Sequence, residues 1–477
     1  MSPNAEVTPE PPHSILEKVD FGRYDAELDD KLLDYFVEIG TASSAATGKN
    51  LVIGRKGSGK TALFRHLAST LPARVVELDL ENYVFQAHKG LKETGIPEAF
   101  VYMASWRFAI AVSMFLHIRK DLSWRKRRKG LRILKKIGLG PNAGPLAAIF
   151  GWLRRVRRVD LPSVIGIASL GGMELGEVTE AAFDTTTADY LSDLEEILFE
   201  SAKTRAITAL VDRLDDAWDG TDESLKLIGG AVRAARHFAN HMKQDGPAPV
   251  IVFLRTDLWE RIQFNDRNKT SQDTIYLDWI RDDLARVVDL RIHKTAGVPE
   301  GEGWATVFTT SEMRQRASAQ NHMLKRALGR PRDIVAFVTL ARESAIAAHH
   351  KIIESQDIYD AETRYSKHVL DELRDEISSH VRDMDAVINT LKALGKRTFL
   401  LTTWEAVAAK NGMDSAESQL VIDQLFEASA VGVFRAGGSK GGSSTVYRYQ
   451  DRFLKASETG AMQVHLGLVK ELGLTDA

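Results

Sequence analysis

Cysteine is absent from the 477-residue chain, which excludes disulfides, thiolate nucleophiles and cysteine-ligated zinc and suits a reducing, cytoplasmic setting. Neither sign of charge dominates. With 63 Lys and Arg against 65 Asp and Glu, the whole molecule is no polyanion binder by net charge, so any such role must rest on a local cluster. Long clean apolar runs are also missing: the most apolar region, residues 144–175, is interrupted by Arg154, Arg155, Arg157, Arg158, Asp160 and Pro162. Nothing therefore reaches the roughly 20 residues of a membrane span. The opening "MSPNAEVTPEPPHSI" carries four prolines and two glutamates where a secretory signal needs a basic start and an apolar run, and residues 1–20 read as a disordered tail.

What is present is a chain long enough for two or three domains. Short β-branched apolar runs at residues 51–53, 75–80, 207–211 and 250–254, with 287–292 as a weaker candidate, alternate with helical patterns. That alternation predicts an α/β fold with a parallel sheet and helices on both faces, over residues 21–295. From about Trp304 the pattern turns helical, with two helices around a Gly-Arg-Pro break, and predicts a helical lid over residues 296–368. Residues 369–477 follow, with helical stretches at 383–394, 403–411 and 416–428. The alternating runs "VGVFRA" and "TVYRY" then flank "GGSKGGSS". Three helices and a hairpin suggest a winged helix.

The strongest motif follows the first strand. Gly54-Arg55-Lys56-Gly57-Ser58-Gly59-Lys60-Thr61 fits G-x-x-x-x-G-K-[ST]. Successive main-chain N–H groups there curl around phosphates, and side chains would block the dihedrals this needs. Lys60 supplies charge to the β- and γ-phosphates, Thr61 a hydroxyl to Mg2+, and the helix from Ala62 onward its positive end. Leu63, Leu67 and Leu71 continue at helical spacing until Pro72. This predicts a nucleotide, most simply ATP.

A phosphate loop needs a metal partner, and "ITALVDRLDDAWDG" offers an apolar strand ending in Asp212. An acid there lies in the crevice where open α/β sheets bind ligands. Asp215 or Asp216 is placed to orient or deprotonate an attacking water, or simply to open the next helix. The run "PVIVFLRTDLWERI" ends a strand in Arg255, expected between the loop strand and the acid strand. Arg255 is a γ-phosphate sensor or the ion-pair partner of Asp257. In "GRPRDI", Arg330 and Arg332 open a lid helix and either sense the γ-phosphate or stay solvated.

The segments "GRKGSGKTALF", "VDRLDDAW", "FLRTDLWERI", "DWIRDDLARVVDLRI" and "GRPRDIVAF", in this order, resemble a bacterial family of P-loop ATPases of largely unknown role. That family is related to the STAND and AAA-like branch of additional-strand-catalytic-glutamate NTPases. The resemblance runs from about Lys49 to the C-terminus. It implies phosphate binding by Gly59, Lys60 and Thr61, Mg2+ held by Thr61 and Asp212, water activation by Asp215 or Asp216, and sensing by Arg255 and a Gly-Arg-Pro arginine. It further implies a switch, as relatives serve in signalling or defence. One position departs: where STAND relatives often carry a second acid after the metal aspartate, this chain has Arg213.

A basic insertion occupies residues 117–175. Within it, residues 118–158 hold fourteen Lys or Arg against one acid, Asp121. The block suits nucleic-acid phosphates, an acidic protein partner or a second copy, or anionic lipid with Trp124, Phe150 and Trp152 at the interface. The candidate recognition helix "SAESQLVIDQLFEASA" has Glu417, Asp423 and Glu427 and no Lys or Arg, so the winged unit reads as a protein contact or lid element. The rivals to an ATP-hydrolysing switch are a scaffold that holds ATP without hydrolysis and a DNA-dependent ATPase using the basic insertion.

Overall fold

A computed structural model describes residues 14–45, 47–80, 98–136, 139–140, 181–264, 267–437, 442–456 and 460–475. The insertion beyond Gly140 through residue 175, with Phe150, Trp152 and the four arginines of residues 154–158, lies outside the described residues, as does the tail up to residue 13.

In chain order the first part runs α1 (Ile15–Lys18), α2 (Gly40–Ala45), β1 (Leu51–Gly54), α3 (Lys60–Thr70), β2 (Arg74–Asp79), α4 (Glu98–Ile118), α5 (Trp124–Lys136) and α6 (Ala181–Ala202). It continues through β3 (Ile207–Asp212), α7 (Asp222–His241), β4 (Val250–Arg255), α8 (Thr256–Arg261) and β5 (Thr274–Tyr276). The strands form one parallel sheet in the order β2-β3-β4-β1-β5. β4 lies between the loop strand and the acid strand, as the sequence predicts. β1 and β3 are buried throughout, the mark of strands covered on both faces. The edge strand β2 alternates, with Val76 and Leu78 in and Glu77 and Asp79 out. On one face Ile53, Val211 and Leu254 share a core with Phe108 and Phe115 of α4 and Phe238 of α7. On the other, Phe64 of α3 meets Phe253 edge-on at 5.7 Å.

The run at 287–292 is not a strand. It lies in α9 (Arg281–Ala296), where Leu284, Val287, Val288 and Ile292 fall on one buried helical stripe and Gly297 ends the helix in a left-handed conformation. Two acids, Asp282 and Asp283, occupy its first turn, favoured at the positive end of a helix. The fifth strand is the three-residue β5.

The second part continues with α10 (Gly303–Val307), α11 (Ala319–Leu324), α12 (Pro331–Ala347), α13 (Ser355–Ile377), α14 (Met384–Ala393), β6 (Thr398–Leu400), α15 (Leu401–Lys410), α16 (Ser415–Glu427), β7 (Val431–Arg435), β8 (Ser444–Val446), β9 (Ala461–Val464) and α17 (Val469–Leu472). Phe337 of α12 stacks on Tyr365 of α13 at 4.3 Å. The boundary expected at 368/369 falls inside α13. The helices α14 to α16 and the β7–β8 hairpin match the expected order, but β6 and β9 extend it to a four-stranded antiparallel sheet, β6-β9-β7-β8. Of the tail expected over residues 1–20, the described residues 14–20 are part of the fold. Leu16, Val19 and Phe21 are buried with the helical core, and Arg342 donates to the Leu16 carbonyl at 2.7 Å.

By internal contacts the chain forms two compact units. A sheet unit comprises residues 38–55 and 63–277. A C-terminal unit comprises the described residues up to Val37, residues 56–62 and the chain from Asp278 onward. Most of the glycine-rich loop thus groups with the helical elements.

Candidate nucleotide site

The loop leaves β1 at Gly54 and enters α3 at Lys60. Gly57 and Gly59 both have positive φ, +77° and +91°, in the region that L side chains rarely adopt. Among the described residues the main-chain N–H groups of Gly57 and Gly59 make no hydrogen bond. The Ser58 hydroxyl oxygen, buried, also has no partner there. Unpaired donors on a glycine turn ahead of a helix N-terminus fit an anion of phosphate type. Lys60 begins α3 as a largely buried lysine, with Thr61 and Ala62 part-buried behind it.

Residues 56–62 of the loop are tied to the other elements of the C-terminal unit, to which they belong. Trp279 donates its indole N–H to the Ser58 carbonyl at 2.8 Å. Arg330 donates to the Lys56 carbonyl at 3.3 Å. Lys56 lies 3.8 Å from Glu372 and 3.9 Å from Asp375, both on α13. A Cβ on Gly57 would come 3.2 Å from Arg332 Cβ.

Arg330 and Arg332 are therefore not solvated arginines on a capped surface helix. Arg330, 2% exposed, is the N-cap of α12 with Pro331 behind it. It pairs with Asp333 and Glu376, each at 2.9 Å. Burial alone would lower its pKa, but those two carboxylates outweigh it and lock the cation charged. Arg332 pairs with Glu372 at 2.9 Å and stands 3.9 Å from Asp25. Burial pushes Glu372 up, while Arg332 and Lys56 pull it further down, leaving its carboxyl below the ordinary glutamate value. The turn that carries Arg330 also leans on the C-terminal hairpin region, since a Cβ on Gly329 would fall 2.5 Å from the Tyr449 ring.

In the sheet unit, Asp212 is a buried carboxylate closing β3, level with Asp79 of β2, while Gly54 of β1 is level with Arg255 of the neighbouring β4. The carboxyl edge of the sheet thus assembles the root of the loop, the expected metal acid and the expected sensor. Arg213 follows in the left-handed region at φ 61° and reaches Asp79 at 3.5 Å. Asp215 and Asp216 lie in a one-turn 3-10 helix, Leu214–Ala217, with Asp216 exposed. Both acids stand in the first turn of that short helix, and α7 starts later, at Asp222, with Thr221 as its cap. Arg255 makes a two-pronged ion pair with Asp257, at 3.0 and 2.9 Å.

Sequence reasoning passed over Asp79, Trp279 and the α13 acids Glu372, Asp375 and Glu376. Trp279 stands inside "DWIRDDLARVVDLRI", a segment already singled out, though for other residues, and Asp79 ends a strand as Asp212 does. The α13 acids carry no local signal. Among the described residues no three-residue cluster of His, Asp or Glu forms a ready metal cage, and no helix is long and apolar enough to cross a membrane.

Similar solved structures include Cdc6p from Pyrobaculum aerophilum (12% identity, 89% of this chain and 86% of that chain, TM-score 0.28). Two from Aeropyrum pernix are the ORC2 protein in ADPNP-ADP complexes (10%, 93% and 96%, 0.41) and the ORC1 protein in complex with DNA (14%, 90% and 94%, 0.35). No curated protein matches the sequence significantly. Residues 282–374, which span α9 to most of α13, match the family described as the FunZ-associated C-terminal helical domain.

Proposed function

We propose that the protein is an ATP-binding and ATP-hydrolysing switch that couples nucleotide state to the arrangement of its C-terminal elements. One observation carries this reading. The loop whose unpaired Gly57 and Gly59 N–H groups suit phosphates is bonded at Lys56 and Ser58 to Arg330 and Trp279, so filling the loop and moving the helices are not independent events. Lys60 and the loop amides bind the β- and γ-phosphates, and Thr61 and Asp212 supply the oxygen donors for Mg2+. The ion, when bound, supplies charge neutralisation for phosphoryl transfer. Asp215 or Asp216 orients the attacking water. Arg255, Arg330 and Arg332 report the γ-phosphate by exchanging their present carboxylates for it. The setting proposed with this reading is the cytoplasm, in a bacterial signalling or defence system, consistent with the family resemblance and the lack of cysteine.

A second reading, a scaffold that holds ATP without turning it over, is favoured by Arg213. Its guanidinium faces Asp79 where a second acid would serve as base.

Equilibrium binding of a fluorescent ATP analogue tests the core of the proposal. Lys60→Ala is expected to weaken binding at least about 100-fold, and unchanged affinity would falsify nucleotide binding by this loop. Single-turnover phosphate release separates the two readings. Product formed by the wild type but not by the Asp212→Ala protein or by the Asp215→Ala, Asp216→Ala pair supports hydrolysis, and no product from the wild type supports the scaffold.

A further inference from the structure

The basic helix α5 is amphipathic in a particular way. Its inner face, Gly130, Ile133 and Leu134, is buried against the sheet unit's core. A Cβ on Gly130 would lie 2.2 Å from the Phe115 ring of α4, so the helix is seated as closely as a backbone allows. One flank is spent on the fold. Lys126 pairs with Glu200 at 3.0 Å, and Lys129 pairs with Asp193 and Glu196, both at 2.9 Å, all on α6. The outward face is different. Arg125, Arg128, Arg132 and Lys135 recur at spacings of three and four, are exposed, and meet no acid among the described residues. Trp124, 68% exposed, stands at the head of this row with the Arg128 guanidinium 5.0 Å over its ring.

We propose that this outward face of α5 binds the sugar–phosphate backbone of a nucleic acid, with Trp124 stacking on a base. The inference is independent of the nucleotide site. From Arg125 to Lys135 the row rises about 15 Å along the helix, matching four to five steps of roughly 3.4 Å on a nucleic-acid strand. Three of its four cations are arginines, whose planar forks engage phosphate oxygens in pairs. A lipid surface is the poorer fit. Membrane-lying helices bury an apolar face in the bilayer, and the apolar face of α5 already faces its own core, leaving Trp124 as the exposed large apolar side chain on this helix. An acidic protein would match the charge alone, whereas a nucleic acid matches it and also offers flat bases that stack on an exposed indole.

The test titrates the full-length chain into fluorescein-labelled 20-nucleotide single-stranded and 20-base-pair duplex DNA at several salt concentrations. The comparison is with a variant carrying Arg125→Ala, Arg128→Ala, Arg132→Ala and Lys135→Ala. Wild type is expected to bind with log K falling against log[salt] at a slope of about −3 or steeper, near 0.9 per phosphate contact. The variant should bind at least about 10-fold more weakly with a shallower slope, while melting at the wild-type temperature and binding the ATP analogue unchanged. Single-stranded DNA should quench tryptophan emission in wild type and less so in Trp124→Phe, a readout that leaves all four cations in place. Equal affinity and slope in the two proteins overturn the proposal. So does tighter binding to phosphatidylserine vesicles or to polyglutamate than to either DNA at the same salt.

Discussion

Glu195 in the sheet unit and the Glu372–Glu376 pair in the C-terminal unit are both carboxylates withdrawn from water and answered by cations from other elements. Glu195, on α6, takes a two-pronged bond from Arg107 of α4, at 2.9 and 2.7 Å, and stands 3.2 Å from His237 of α7. The α13 carboxylates take Arg330 and Arg332 from the start of α12 and Lys56 from the glycine loop. The chemistry is the same, yet the partners differ in kind. Every group around Glu195 sits on a helix fixed by the apolar core, so that cluster can only hold helices together. One cation facing Glu372 sits on a loop with unpaired N–H groups, so under the proposed function what fills the loop would change what Glu372 faces. A buried ion pair becomes part of a switch when one of its members stands on an element that a ligand can move.

The largest expected effect comes from the C-terminal cluster. Arg330→Ala strands Asp333 and Glu376 without their cation and is expected to cost about 3–5 kcal/mol of stability. It should also shift ATP affinity, measured on protein shown to be folded. Stability loss with unchanged affinity would reduce this cluster to the static kind. Glu195→Gln should cost less, about 1–3 kcal/mol by urea denaturation, because Arg107 retains some contact with water. It should leave ATP affinity untouched, and an altered affinity would break the comparison from the other side.

Acid supplies the smallest and most diffuse effect. Burial raises Glu195, but His237 and Arg107 outweigh it, as Arg332 and Lys56 do at Glu372, so both folded pKa values lie below the ordinary one. A carboxylate depressed in the folded state contributes stability above its unfolded pKa and loses it as pH falls through the folded value. Urea midpoints should therefore drop progressively below about pH 5, and Glu195→Gln should show a shallower drop than wild type. A midpoint that rises on acidification would contradict both assignments.

Much of the site's frame is local in sequence and could be read there. The loop is a spacing of glycines and a lysine, and β1, β3 and β4 are unbroken apolar runs bounded by polar residues. The run at 287–292 was misread because a β-branched cluster serves a buried helix stripe as well as a strand, and only the acids at Asp282 and Asp283 hint at which. The strands β6 and β9, three and four residues long, are too short for alternation to stand out. The ties to the loop were not legible for a different reason. Lys56 meets Glu372 and Ser58 meets Trp279 across more than two hundred residues, and nothing near Lys56 marks it for a carboxylate that far along the chain.

The contact between Gly329 and Tyr449 has a mechanical consequence. Counting from the Lys56 carbonyl, the route to the hairpin region passes through the Arg330 side chain, one peptide unit and then an aromatic ring pressed against bare backbone. No flexible side chain intervenes after Arg330 to absorb motion, and at position 329 even a methyl group would collide. With Arg330 also pinned to Asp333 and Glu376, a displacement at the glycine loop is expected either to carry this turn toward Tyr449 or to break the hydrogen bond from which the route starts.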